Sequence, residues 1–225
     1  MSIVIEQFIR KLNNTELNSQ STNDSYIRLS KEIQDFVPAD FFKFLDSKQV
    51  SVINKGTNKE ISADKWLRFQ YYPSNKEYRI VSMTEIYEAY SPYPGDFVVI
   101  EKITDGSHFH YEVSMKKLNK LSMKFHKKSS SFEILNLLEG NNITLLDKDV
   151  VINYNGNDFD SKIIFTQRRK KREDSPTETD FYEILNVPDE LLTEIDRDSF
   201  VEILKRGSKF YISVEKSWEF NKFER

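Results

Sequence analysis

Alternating apolar and polar positions run through the middle of the chain and predict a mainly β structure with short helices. Residues 65–72 and 77–82 both alternate in this way. The polar tip Pro73-Ser74-Asn75-Lys76 between them predicts a hairpin. The same pattern predicts strands at residues 26–29, 50–53, 97–103 and 108–115 and short helices at residues 37–45 and 84–90.

The N-terminal region follows a different pattern. Residues 1–13 carry apolar side chains near helical spacing and predict a helix. Residues 13–24 are polar and unpatterned, which is typical of a linker. This helix and linker, residues 1–24, precede a strand-rich domain at residues 25–118, whose many short strands favour a barrel or sandwich.

Residues 119–225 mix strand-like and helix-like periods and predict a smaller α+β C-terminal domain of undefined role. Its predicted strands are residues 132–138, 143–146, 150–154, 162–166 and 210–214, and its predicted helices are residues 188–195 and 199–205. Residues 167–172 are strongly basic and lead into the polar segment Glu173-Asp174-Ser175-Pro176-Thr177, which predicts an exposed loop.

Composition limits the possible classes of protein. Cysteine is absent, which excludes a disulfide framework, a thiol nucleophile and a cysteine-ligated zinc site. No apolar run is long enough to span a bilayer, and the N-terminus lacks the basic-then-apolar order of a signal peptide. We therefore expect a soluble, cytoplasmic protein without a membrane partner.

The net charge is −3, but the charged residues are unevenly distributed along the chain. Residues 25–118 carry 13 basic and 13 acidic side chains, residues 119–172 carry 11 and 6, and residues 173–225 carry 7 and 14. Strongly basic domains are the commoner nucleic-acid binders. A neutral domain binds DNA when its basic residues converge on one face, and only a tertiary structure reveals such convergence.

The hairpin at residues 65–82 carries the densest set of side chains suited to nucleic acid. Arg and Lys donate to guanine O6 and N7, and Asn and Gln bond adenine at N6 and N7. Ser and Tyr hydroxyls suit phosphate contacts. Residues of these types at the hairpin are Arg68, Gln70, Tyr71, Tyr72, Ser74, Asn75, Lys76 and Arg79. The segment therefore predicts recognition of double-stranded DNA.

The order of motifs through residues 25–118 resembles a known family. The segments RLS, VPADFF, RFQYYPSNKEYRI, PGDFVVIEK and YEV follow one another as in the pseudobarrel DNA-binding domain called the B-three domain, which occurs in plant transcription factors. The tyrosine pair, the short tip and the Glu-Tyr-Arg-Ile strand are more similar to the effector, or recognition, domain of bacterial restriction endonucleases of the EcoRII type.

This resemblance implies a seven-stranded open pseudobarrel with a short helix near each end and two arms that grip the major groove. The first arm corresponds here to Arg28, Ser30, Lys31 and Glu32, and the second to Gln70, Tyr72, Ser74, Asn75, Lys76 and Arg79. The resemblance also implies the recognition part of a restriction or related defence system. Such a module needs no cofactor and acts with a partner subunit, a nuclease or an NTPase.

Two other functions stay open. Asp160-Ser161-Lys162 precedes an apolar run and has Asp147 or Asp149 upstream, which loosely fits a PD-(D/E)xK nuclease. In that case the chain is a complete Mg²⁺-dependent endonuclease whose acids hold the metal. The remaining alternative is a protein-interaction domain that binds no DNA.

Single residues also have structural interpretations. Arg79 is a candidate partner of Glu77 or Asp96, and Gly95 before Asp96 indicates a turn. His108 and His110 share one face of a predicted strand, as two ligands of one metal would. A third ligand at a suitable spacing is missing, so no metal site is predicted.

The basic run has two interpretations as well. A run of adjacent cations on a loop can follow a phosphate backbone, but a solvated loop is the more common role of such a sequence. The candidate phosphate contacts are Arg168, Arg169, Lys170, Lys171 and Arg172.

Overall fold

The structure is a computed structural model that describes residues 2–13, 16–17, 26–46, 50–61, 67–74, 76–117, 121–126, 131–134, 148–170, 173, 178–194, 199–206 and 209–225. The chain divides into two compact units, one of Met1–Lys117 with Trp218–Arg225 and one of Leu118–Ser217. Both units are mainly β with short helices, which confirms the predicted fold class in its coarse form.

The described strands and helices follow in chain order. The strands are β1 (Ile3–Lys11), β2 (Tyr26–Leu29), β3 (Val52–Asn54), β4 (Lys59–Glu60), β5 (Arg68–Tyr72), β6 (Glu77–Val81), β7 (Phe97–Asp105), β8 (His108–Lys116), β9 (Leu121–His126), β10 (Ser131–Ile134), β11 (Lys148–Tyr154), β12 (Asn157–Lys170), β13 (Glu178–Leu185), β14 (Ser199–Arg206), β15 (Lys209–Lys216) and β16 (Trp218–Glu224). The helices are α1 (Lys31–Phe36), α2 (Ala39–Lys43), α3 (Thr84–Tyr90) and α4 (Asp189–Glu194), and a 3-10 turn at Phe44–Asp46 follows α2.

Two sheets build the first unit. The larger has the strand order β16-β1-β7-β8-β3-β4, and the smaller has the order β2-β6-β5. The predicted hairpins β5–β6 and β7–β8 and the predicted helix α3 are confirmed. The larger sheet also takes in β1 and β16, which lie outside the predicted pseudobarrel at residues 25–118.

The predicted N-terminal helix is wrong, because residues 3–11 form the strand β1. This strand lies between β7 and β16 and places Phe8 opposite both Ile100 and Phe220. Ile3, Val4 and Ile5 are three consecutive β-branched residues, which favour extended backbone. Hydrogen bonding to two neighbouring strands outweighs the helical spacing of the apolar side chains.

A ladder of aromatic rings joins α2 to the smaller sheet. Phe8 and Phe42 meet edge-to-face at 5.1 Å, Phe42 stacks on Phe69 at 5.8 Å, and Phe69 stacks on Tyr78 at 4.9 Å. Such pairs add to the stabilisation from burial alone. The ladder fixes one face of the sheet β2-β6-β5 against the core and leaves the other face to polar side chains.

The second unit is a closed barrel with the strand order β10-β13-β12-β11-β15-β14-β9. Its interior is apolar and includes Ile152, Ile163 and Val201. Asn155 and Gly156 connect β11 to β12 with φ values of 49° and 78°. Positive φ at both loop positions is the requirement of the type I′ hairpin turn, which Asn-Gly favours.

Two predictions for this unit are wrong. Residues 199–205, predicted as a helix, form β14, which pairs with β15 on one side and β9 on the other. Residues 167–170, predicted as an exposed loop, continue β12 and pair with β13. The described part of the unit is thus a barrel with the single helix α4, and an α+β domain is not confirmed. The strand predicted at residues 143–146 lies outside the described residues.

Candidate nucleic-acid interface

The sheet β2-β6-β5 has one apolar face and one polar face. Ile27, Leu29 and Ile80 are buried on the apolar face. Side chains alternate between the faces of a strand, so the opposite face carries a second set. We call six residues of that set the polar-face cluster: Tyr26, Arg28, Gln70, Tyr72, Glu77 and Arg79.

Strand register brings three of the predicted DNA contacts into one row. Arg28 on β2 lies opposite Arg79 on β6, and Arg79 lies opposite Gln70 on β5. Residues directly opposite one another in an antiparallel pair have their Cβ atoms about 5 Å apart. One guanidinium from each of two strands and one amide from a third therefore share a small surface.

Glu77 joins the two arginines. Arg28 Nε donates to Glu77 Oε2 at 2.8 Å, and Arg79 Nε donates to Glu77 Oε1, also at 2.8 Å. Arg79 Nη2 lies 2.6 Å from the same oxygen. The side chains of Arg28 and Arg79 expose 17% and 15% of their surface, respectively. Both guanidinium groups are therefore held in place, and both side chains remain partly exposed.

Arg79 also lies between two aromatic rings. Its guanidinium carbon is 4.0 Å from the centre of the Tyr26 ring and 4.5 Å from the centre of the Tyr72 ring. Burial raises the pKa of Tyr26, although the Arg79 charge acts in the opposite direction. Cation–π contacts on both sides restrict the rotation of the guanidinium plane.

The third strand supplies neutral hydrogen-bonding groups. Tyr72 donates its hydroxyl proton to Gln70 Oε1 at 3.3 Å. The bond uses one of the two lone pairs of the Gln70 amide oxygen and leaves the second, together with the NH₂ group, for a ligand. The same strand carries the exposed Arg68, whose Nη2 donates to Ser82 Oγ at 3.4 Å.

The hairpin tip between β5 and β6 is exposed. Ser74 and Lys76 both face solvent, and Asn75 lies outside the described residues. The Lys76 N–H donates to the Pro73 carbonyl at 3.3 Å, and Lys76 has a φ of 51°. A lysine in this left-handed region is strained, and its position keeps an ammonium group at the end of the hairpin.

Apart from Arg28, which lies on β2, the residues of the predicted first arm lie at the start of the helix α1. Ser30 precedes α1, is buried, and accepts from the Ile33 N–H through its hydroxyl oxygen at 3.4 Å. Ser30 therefore caps the helix. Lys31 is the first residue of α1 and is exposed, whereas Glu32 is half-buried. Among these three residues, Lys31 is therefore the one whose side chain is suited to contact a phosphate.

The basic run on β12 faces acidic residues on β13. Arg168 forms a two-bonded pair with Asp180, with Nε–Oδ1 at 2.6 Å and Nη2–Oδ2 at 3.0 Å. Lys170 lies opposite Glu178, and Arg169 covers the ring of Phe181. Lys171 and Arg172 lie outside the described residues. These acids oppose phosphate binding by Arg168 and Lys170.

The candidate nuclease residues lie on the outer wall of the barrel. Asp160 and Lys162 are two residues apart on β12, and Asp149 on β11 lies directly opposite Lys162. Asp147 lies outside the described residues. Among the residues that the structure describes, no group of three or more His, Asp or Glu side chains is arranged to hold a metal ion.

The histidines and the Gly95 turn occupy ordinary structural positions. His108 and His110 lie on β8, with His108 Nδ1 3.3 Å from Ser107 Oγ and His110 Nε2 3.8 Å from Glu112 Oε1. Gly95 has a φ of 97°, and Asp96 Oδ2 accepts from the Tyr93 N–H, which confirms the predicted turn.

The sequence prediction missed two members of the polar-face cluster as site residues. The sequence predicts Tyr26 only as the start of a strand, and Glu77 only as a candidate structural partner of Arg79. Glu77 and Arg79 are two positions apart, which places both on one face of a strand. That spacing in the sequence indicates the pair of Glu77 and Arg79. The contact of Arg28 with Glu77 depends instead on the register of β2 against β6.

Comparison with known proteins found no relative from which a function could be inferred, so the geometry of the site is the basis for the proposal below. No protein-family model matches the chain, and no curated protein matches it either. Within the described residues, the helices are all too short or too polar to cross a membrane.

Proposed function

We propose that this chain recognises double-stranded DNA in a sequence-dependent manner, with the polar-face cluster and the β5–β6 tip in the major groove. One observation carries the proposal: Arg28, Arg79 and Gln70 come from three strands and occupy one row on one polar face. Arg and Gln are the side chains that form bidentate bonds to guanine and adenine.

Preorganisation supports the same conclusion. A recognition site needs side chains whose positions are fixed before the ligand arrives. Glu77, Tyr26 and Tyr72 hold Arg79 on three sides, and the aromatic ladder holds the sheet against the core. The exposed Lys31, Arg68 and Lys76 are suited to phosphate contacts, which orient a protein on the duplex without reading its sequence.

The biological setting is part of the proposal. The B-three-like order of motifs and the mainly β first unit support an open pseudobarrel of the restriction-effector kind, to which β1 and β16 add further strands. We infer a recognition module of a restriction or related defence system, in which a partner nuclease or NTPase subunit completes the activity.

The experiment is selection of bound duplexes from a random-sequence pool with EDTA present, followed by sequencing. We expect one short enriched motif. Gln70→Ala should relax the preference at one position of that motif, because loss of a good base contact costs about 1–3 kcal/mol of discrimination. Absence of any enriched motif at low salt would contradict the proposal.

Lys76→Ala tests the phosphate contacts separately. It should weaken binding to all duplexes and lower the slope of log K against log salt by about 0.9. Lys222→Ala is the matched control, since Lys222 is an exposed lysine of β16 in the other sheet of the same unit. An equal effect of both changes would indicate binding by general charge.

A further inference from the structure

Glu77 is the acid of the polar-face cluster and lies between its two arginines. One carboxylate oxygen accepts from Arg28 and the other from Arg79. Glu77 is itself buried. A carboxylate at a DNA-facing surface repels phosphate, so its presence lowers non-specific affinity. A role other than contact with DNA must therefore account for a buried glutamate at this position.

The contacts of Glu77 indicate that it holds the two arginines in place. Glu77 engages Nε of both arginines, and Tyr26 and Tyr72 cover Arg79 on its two faces. The bonds to Glu77 use Nε of Arg28 and both Nε and Nη2 of Arg79, and both arginine side chains remain partly exposed. Each guanidinium is thus fixed at one edge by Glu77 and has further N–H groups with which to donate to a ligand. A planar donor fixed in this way discriminates between bases, whereas a freely rotating arginine also binds phosphates.

We propose that Glu77 is a positioning residue that sets the sequence selectivity of the site by holding Arg28 and Arg79, at the expense of non-specific affinity. This inference rests on the proposed DNA-binding function. Glu77 acts through the two arginines, because it is buried and its carboxylate oxygens accept from their Nε–H groups.

The test compares Kd for the enriched duplex with Kd for a scrambled duplex, in wild type and Glu77→Gln. The ratio of Kd for the scrambled duplex to Kd for the enriched duplex should fall by about 5- to 150-fold, the range for loss of one well-placed base contact. Binding to the scrambled duplex should become tighter, and its salt slope steeper, since two arginines lose their internal counter-charge. Loss of a merely structural residue would weaken both duplexes together.

Two further variants complete the design. Glu219→Gln changes the net charge equally at an exposed position of β16 and should leave the ratio unchanged. Glu77→Asp keeps the charge but is one methylene shorter and cannot span both arginines, so selectivity should still fall. Thermal unfolding of each variant identifies any loss of folded protein.

The outcomes separate the two proposals. A wild-type chain that enriches no motif overturns the DNA-binding function and this inference with it. A selective wild type whose ratio is unchanged in Glu77→Gln overturns the positioning role alone. Loss of folding in both Glu77 variants also overturns it, because Glu77 is then required only for the fold.

Discussion

Arg10 and Glu16 form an ion pair in the interior of the first unit, with Arg10 Nη2 3.3 Å from Glu16 Oε1 and only 2% and 1% of the side chains exposed. Glu16 Oε2 accepts from the Asn13 side chain at 2.7 Å, and Oε1 accepts from the Arg28 N–H at 3.0 Å. One carboxylate thereby connects the end of β1 to β2, the strand that carries Arg28.

Glu16→Ala should lower the free energy of unfolding by about 1.5–3 kcal/mol, because it removes a buried carboxylate that pairs with Arg10 and accepts from the Asn13 side chain and the Arg28 N–H. Chemical denaturation measures the change. Asp180→Ala is the control, since it breaks the exposed pair with Arg168 and should have a far smaller effect. Equal losses in the two variants would contradict a special role for burial.

Lys76→Gly should separate the effect of Lys76 on the free energy of unfolding from its effect on DNA binding. Glycine accepts a φ of 51° without strain, so the free energy of unfolding should rise by up to about 1 kcal/mol. Lys76→Ala keeps the strain and should gain nothing. Both variants should lose the same phosphate contact in the DNA assay. Loss of stability in Lys76→Gly would show that the lysine side chain stabilises the tip.

Gly56→Ala should destabilise the first unit by about 1–2 kcal/mol through overpacking. A Cβ atom at this position would lie 2.7 Å from Cε2 of Tyr90, too close for contact. The same change made in a Tyr90→Ala background should cost much less, and a double-mutant cycle by denaturation measures the difference. An equal cost in both backgrounds would place the strain in the backbone.

Alkaline pH should destabilise the protein. Burial raises the pKa of Tyr26, of Tyr87 and of Tyr111 above the value of about 10 for an unfolded tyrosine. Stability should therefore be constant up to about pH 10 and fall as the pH rises further, because the unfolded chain then loses protons that the folded chain retains. Absorbance of tyrosinate and denaturation at each pH measure the effect.

Tyr87→Phe provides the control for this prediction. Within the described residues, the buried Tyr87 hydroxyl has no hydrogen-bond partner. Its removal should raise stability at neutral pH, because an unsatisfied buried hydroxyl costs about 1–3 kcal/mol. The alkaline loss should also become smaller. A less stable Tyr87→Phe protein would show that the hydroxyl does have a partner in solution.

Short-range patterns predicted much of the local structure. The hairpin tip after Tyr72, the turn at Gly95 and the helix at Thr84–Tyr90 all appear where turn residues and periodicity indicated them. Asn155-Gly156 is another such signal, and it marks a hairpin that the sequence prediction did not assign. These features depend on the φ preferences of a few adjacent residues, which the sequence contains directly.

The candidate site was predictable only in part. Alternation placed Gln70, Tyr72 and Arg79 on a hairpin, as residue types suited to DNA. Ser30, another candidate, caps α1 with its hydroxyl, because the helix start needs an acceptor for its free N–H groups. The polar sequence around Glu16 predicts a linker, whereas the structure buries Glu16 against Arg10. Spacing along the chain does not identify the partner that makes such burial possible.

The sequence alone determined a mainly β protein with short helices, its principal hairpins, and a polar hairpin rich in DNA-binding residue types. Tertiary structure decided that residues 3–11 and 199–206 are strands: β1 pairs on both sides with strands far away in the chain, and β14 pairs with the distant β9 as well as with the adjacent β15. It also decided that Arg28 and Arg79 meet at Glu77. That meeting depends on the register of β2 against β6, and a shift of one residue would turn Arg28 to the opposite face.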